Sequence, residues 1–160
     1  MRAKRLAHFA FGAEALVGQA LGAHDRATLR RAAWMTSLWG LWTVIGFALA
    51  FAALGGWIVD VMATAPEVRS AARAYLPWMV AAPLAGWAAW MLDGIFIGAT
   101  ATRDMRNMMV LSSLVYLAAV LALVPSLGNH GLWAALIISF LARGLSLGAR
   151  YPGVERLAQS

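Results

Sequence analysis

The stretch RAAWMTSLWGLWTVIGFALAFAALGGWIVD, residues 31–60, begins at Arg31, ends at Asp60 and carries no formal charge in the 28 residues between them. At about 1.5 Å of rise per helical residue, such a run outreaches the roughly 30 Å hydrocarbon core of a bilayer and crosses it with some tilt. Backbone polar groups in lipid need partners within their own segment, so the run predicts a transmembrane helix. The sequence on either side repeats the pattern. From Ala74 to Thr102 the sole charge is Asp93, and between Arg106 and Arg143 lie 36 uncharged residues. That last length needs two crossings, and PSLGNHG (125–131), with its proline, glycines and asparagine, supplies the turn between them.

The expected helices are therefore about 33–60, 72–100, 105–124 and 130–149, with a weaker fifth over 6–23 that contains His8 and Glu14. A cleavable leader is the competing reading of the basic start MRAKR and the apolar run after it. Glu14 and Gln19 interrupt that run where a leader is most apolar, and the charged AHDRATLRRA follows it. Composition agrees with a membrane bundle: of 160 residues, 62% are hydrophobic and only 12% charged, with a mean hydropathy of +0.70. Soluble chains carry roughly 25% charged residues, so a water-soluble globule and a disordered chain are both excluded. The absence of cysteine removes disulfides, thiolate metal sites and thiol catalysis. Although the net charge is +6, the basic residues sit in short clusters between apolar runs, which argues for a bilayer and against nucleic acid as partner.

Arginines set the expected orientation. Arg26, Arg30 and Arg31, then Arg103 and Arg106, then Arg150 and Arg156 all fall on one side if the four strong helices alternate, and that side is expected to be cytoplasmic, with the C-terminus. Arg2, Lys4 and Arg5 lie on the opposite side if 6–23 spans, so either that helix does not span alone or the start of the chain is not its natural context. Trp34, Trp57, Trp78 and Trp133 fall near span ends, where an indole anchors at the headgroups. Trp39 with Trp42, and Trp87 with Trp90, are deeper pairs at i and i+3 that share a helix face, either for lipid and helix packing or to line a pocket for flat hydrophobic cations. Gly18 with Gly22, Gly94 with Gly98 and Gly144 with Gly148 are pairs at i and i+4 that allow close helix contact.

Asp93 is the leading candidate for chemistry. A carboxylate within a hydrophobic helix costs about 2.5–3.5 kcal/mol to insert, so it is oriented to a cavity, paired or protonated. Such a group can load and release a proton, or bind sodium when ionised; the alternative is a packing or capping carboxylate near the cytoplasmic end. Glu14 is a second candidate under the same argument. Pro77 and Pro83 lie in the helix that bears Asp93, where each removes a backbone hydrogen bond and bends the helix, either beside a cavity or merely to improve packing. Arg143 can snorkel toward the headgroups. His8, His24 and His130 are too scattered for a metal site, and no nucleophile elbow, phosphate loop or zinc-protease motif is present, so an enzyme is not expected.

The runs AEALVGQALGAHDRATLRRA (13–32), EVRSAARAYLPWM (67–79), LDGIFIGATATRDMRN (92–107) and LGNHGLWAALI (127–137) strongly resemble the multidrug and toxic compound extrusion family, in particular its bacterial DNA-damage-inducible branch. The resemblance implies an antiporter of the bacterial inner membrane, with twelve helices in two lobes, that exports organic cations and other xenobiotics against sodium or protons and uses no other cofactor. On that plan residues 6–23 resemble the eighth helix and the four strong helices the ninth to twelfth. Asp93 then falls at the acidic position that some members use in coupling, while Glu14 lies in the eighth-helix motif. The N-terminal lobe, with the first-helix aspartate on which this branch relies, has no counterpart here. The chain accordingly reads as an incomplete C-terminal lobe that needs the missing lobe as partner to transport.

Overall fold

The computed structural model describes residues 14–157. Within them the chain is helical: α1 (14–22), α2 (Arg26–Met62), α3 (Pro66–Gly98), α4 (Thr102–Leu127) and α5 (Asn129–Leu157). The last four are long and apolar enough to cross a membrane. The part of the expected 6–23 helix before residue 14 lies outside the described residues.

Each strong helix starts before its expected bound and all but α3, which ends at Gly98 and not at 100, also run past their expected end, because charged and polar flanks that cannot enter hydrocarbon still coil at the headgroups. Helix α2 starts at Arg26 and not near 33, since Asp25 caps it by accepting from the Thr28 N–H at 3.0 Å. Its 37 residues extend about 55 Å, well beyond one hydrocarbon core. Helix α3 begins at Pro66, a residue suited to a first turn where no N–H is needed. The expected connection 61–72 shrinks to residues 63–65. There Arg73 pairs with Asp60, while Arg69 donates to the Ala63 carbonyl at 3.0 Å, closing the α2–α3 hairpin.

The expected PSLGNHG break is reduced to one residue, Gly128. Pro125 stays inside α4, and Gly128 turns the chain at a φ of +56°, open to glycine at little cost. Two further turns use residues without that freedom: His24 after α1 and Thr100 after α3 both stand at φ +53°. In each the following N–H reaches back five residues, Asp25 to the Ala20 carbonyl and Ala101 to the Phe96 carbonyl, both at 3.0 Å. This is a left-handed helix stop that glycine normally occupies. A β-branched residue is strained there, so Thr100→Gly is expected to raise stability by about 0.5–1 kcal/mol, read as a higher melting midpoint in detergent.

The packing is inside out relative to a soluble protein. Trp34, Trp39, Trp42, Phe47, Leu49 and Trp57 all stand exposed on α2, Trp34 at 71%. The buried cluster lies at one end of the bundle, where Val17 of α1, Leu29 of α2, Ile95 and Phe96 of α3, and Leu147 and Val154 of α5 converge. Contacts fix the helix directions. Gly55 lies against Leu76 and Gly40 against Met91, so α2 and α3 are antiparallel. Gly131 meets the backbone of Leu123 and Val124 while Arg150 pairs with Asp104, so α4 and α5 are antiparallel as well. By contrast α3 and α5 run parallel: His130 meets Trp78, Phe140 meets Trp90 and Arg143 meets Asp93, in ascending order on both helices.

Candidate functional site

Asp93 and Arg143 face each other between these parallel helices. The Arg143 Nη2 and Nε donate to one carboxylate oxygen, Oδ1, at 2.9 and 3.2 Å. Both side chains are largely buried, 15% exposed for Asp93 and 21% for Arg143. Oδ2 accepts no hydrogen bond among the described residues. A bidentate pair would engage both oxygens; this arrangement leaves half of the carboxylate open to a proton or a cation.

Small residues bring the helices close enough for the pair to form. A Cβ built on Gly144 would lie 3.4 Å from the Ala88 Cβ, and one on Gly148 would lie 3.9 Å from the Leu92 Cδ1. Above the pair, Trp90 packs its edge against Phe140 with ring centroids 5.6 Å apart. Beside it, Arg143 lines a small cleft of about 200 Å³ with Ser112, Ser113, Tyr116 and Ser139 of α4 and α5. Asp93 lies five residues before the end of α3, a depth of about 8 Å measured from that end.

The other candidate residues are distributed around this pair. Trp87, half-buried, donates its Nε1 to the Ser37 carbonyl at 3.0 Å and so ties α3 to α2. Trp39 and Trp42 stand on the exposed face of α2, the latter at 62% exposure. Helix α3 continues through both Pro77, exposed, and Pro83, half-buried. Glu14 is exposed on α1 and has no ion-pair partner among the described residues. Its backbone rather than its carboxylate is the feature packed on α3: a Cβ on Gly98 would sit 2.5 Å from the Glu14 carbonyl oxygen.

Arg143 departs from the snorkelling expected of it, because a buried carboxylate one helix away offers a better partner than distant headgroups. The sequence does carry a signal for the pairing. DGIFIG (93–98) and RGLSLG (143–148) have the same design, a charge followed by two glycines four apart. Opposite charges in the same register of two close-packing helices are positioned to meet. A second feature escaped sequence reading altogether. Past the apolar part of α5, the Glu155 carboxylate is buried at 6% exposure and accepts from Arg26 Nη2 at 2.6 Å and Arg30 Nε at 2.7 Å. Those two guanidinium groups, Arg26 first, hold it below the usual carboxylate range. No local motif links positions 26 and 155, which only the fold brings together.

Four long helices with outward apolar faces and an internal ion pair define a multi-pass helical membrane protein. The chain belongs to the MatE family, whose sequence profile matches residues 6–124. It is similar to the DNA damage-inducible protein F of Escherichia coli (strain K12), 38% identical over 144 residues that cover 88% of this chain. The match spans 30% of that relative's length. No solved structure matches the chain.

Proposed function

We propose that the chain is the C-terminal part of a MATE-type secondary transporter that exports organic cations or other xenobiotics in exchange for sodium or protons. In this reading it sits in the bacterial inner membrane with the C-terminus cytoplasmic, and works together with an N-terminal lobe. The reading rests on one observation: a family bundle that buries a carboxylate, Asp93, bonded by its arginine through a single oxygen. The oxygen left over is where a coupling cation or proton binds, and Arg143 holds the carboxylate in place between loads. Trp90 and Phe140, one turn away, offer an aromatic surface to a flat apolar cation. Membership of the family supports transport, while the arginine distribution supports the orientation.

Asp93→Asn tests the reading. In everted membrane vesicles from cells producing the chain together with its N-terminal lobe, ion-driven ethidium movement is expected to fall to background while the amount of inserted protein stays at the wild-type level. Undiminished movement at equal insertion removes Asp93 from the coupling.

A further inference from the structure

A second cleft lies at the end where α2 begins and α5 finishes, lined by Leu92 and Ile95 of α3 on either side of Asp93 in sequence. It measures about 510 Å³, within the roughly 300–1,000 Å³ typical of ligand sites. Its two ends differ chemically. The inner wall is apolar and comes from Leu92 and Ile95 of α3 with Gly148 of α5, while the rim carries Arg30, Trp34 and Tyr151. Gly148 contributes no side chain, which leaves the wall open between α3 and α5.

The rim is arranged as an anion receptor. Glu155 engages Arg30 only through Nε, so both terminal nitrogens of that guanidinium have no partner among the described residues. The side chain is oriented by a buried acid, yet 63% exposed. Two arginines against one carboxylate leave one positive charge in excess. The neighbouring acids do not cancel it: the charge of Asp25 is answered by Arg31, and Asp104 is paired with Arg150. Trp34 stands exposed beside Arg30, as an indole does at the level of lipid headgroups.

We propose that this cleft binds an anionic phospholipid, its phosphate on the free nitrogens of Arg30 and one acyl chain along Leu92 and Gly148. A free anion would use the rim and leave the apolar wall bare. A zwitterionic lipid would fill the wall and leave the excess charge unanswered. An anionic lipid satisfies both. The assignment is independent of how Asp93 acts.

The test is native mass spectrometry of the protein released from nanodiscs of phosphatidylglycerol and phosphatidylcholine in equal amounts and of equal chain length. The wild type is expected to retain phosphatidylglycerol about five-fold over phosphatidylcholine. Arg30→Gln is expected to bring that ratio to about one, and Arg30→Lys, which keeps the charge, to preserve most of it. Gly148→Leu fills the wall without touching the arginines and is expected to reduce retention of both lipids. Equal retention of the two lipids by the wild type overturns the proposal, as does an unchanged ratio in Arg30→Gln. Full lipid retention in Gly148→Leu, with inorganic phosphate displacing phosphatidylglycerol from the wild type, means that the site takes a free anion and overturns the lipid assignment.

Discussion

Arg143→Met is expected to lower the unfolding free energy of the bundle by about 3 kcal/mol, the lower end of the range for removing one member of a buried ion pair. The lower end applies because both side chains retain some exposure. The loss comes from stranding the Asp93 carboxylate in an apolar interface, not from the missing attraction alone. The double variant Asp93→Leu/Arg143→Met is therefore expected to recover to within about 1 kcal/mol of the wild type, because no charge is then left unpaired. Denaturation by sodium dodecyl sulfate in mixed micelles, followed by circular dichroism, measures both. A single variant as stable as wild type means that the pair does not hold α3 to α5. A double variant as unstable as the single one means that helix packing, not the stranded charge, carries the loss.

Gly98→Ala is the second large effect. The added methyl carbon would lie 2.5 Å from the Glu14 carbonyl oxygen and 3.0 Å from the Glu14 Cα. These are main-chain atoms, so no side-chain rotation relieves the overlap and α1 must move away from α3. Overpacking costs typically 1–3 kcal/mol, and a backbone obstacle places this case at about 3 kcal/mol. The movement also opens the buried cluster at Val17 and Phe96, so faster proteolysis after α1 is expected together with the lower stability. Gly46, on α2, is the internal control. Nothing lies within 4 Å of a Cβ built there, and Gly46→Ala is expected to be neutral or to stabilise by up to about 1 kcal/mol. Equal stability losses at the two positions would show that helix propensity, not close approach, sets the response.

The transmembrane helices were legible because the bilayer imposes a length and a composition on each one. Their ends were not, because the transfer cost of a charge marks where hydrocarbon stops, whereas a helix stops where its capping groups are. Asp25 caps α2 well before the apolar run begins, and Arg26 and Arg30 are helical at the level where the sequence reads as a connection. Pro125 reads as a break, yet a proline two residues from a helix end interrupts little, so the turn falls at Gly128. Asp93 could be singled out from its position in an apolar run. Its partner could not be chosen by charge alone, since Arg143 also has the option of reaching the headgroups. The register shared by DGIFIG and RGLSLG settles that choice, and it becomes readable only once α3 and α5 are known to lie side by side. The Arg26–Glu155–Arg30 cluster depends wholly on the return of α5 to the start of α2.

The single-residue link at Gly128 bears on how the protein is made. A first helix can wait in the lipid for a second only if the linker is long enough to let it tilt and diffuse. One glycine gives α4 and α5 no such slack: once Leu127 has reached the far side of the membrane, Asn129 is already heading back. The two must therefore leave the insertion machinery as one hairpin, with Gly131 already seated on the Leu123 carbonyl. Arg143 thus enters the bilayer on a preformed pair of helices, and not on an isolated segment that would have to bear its charge alone.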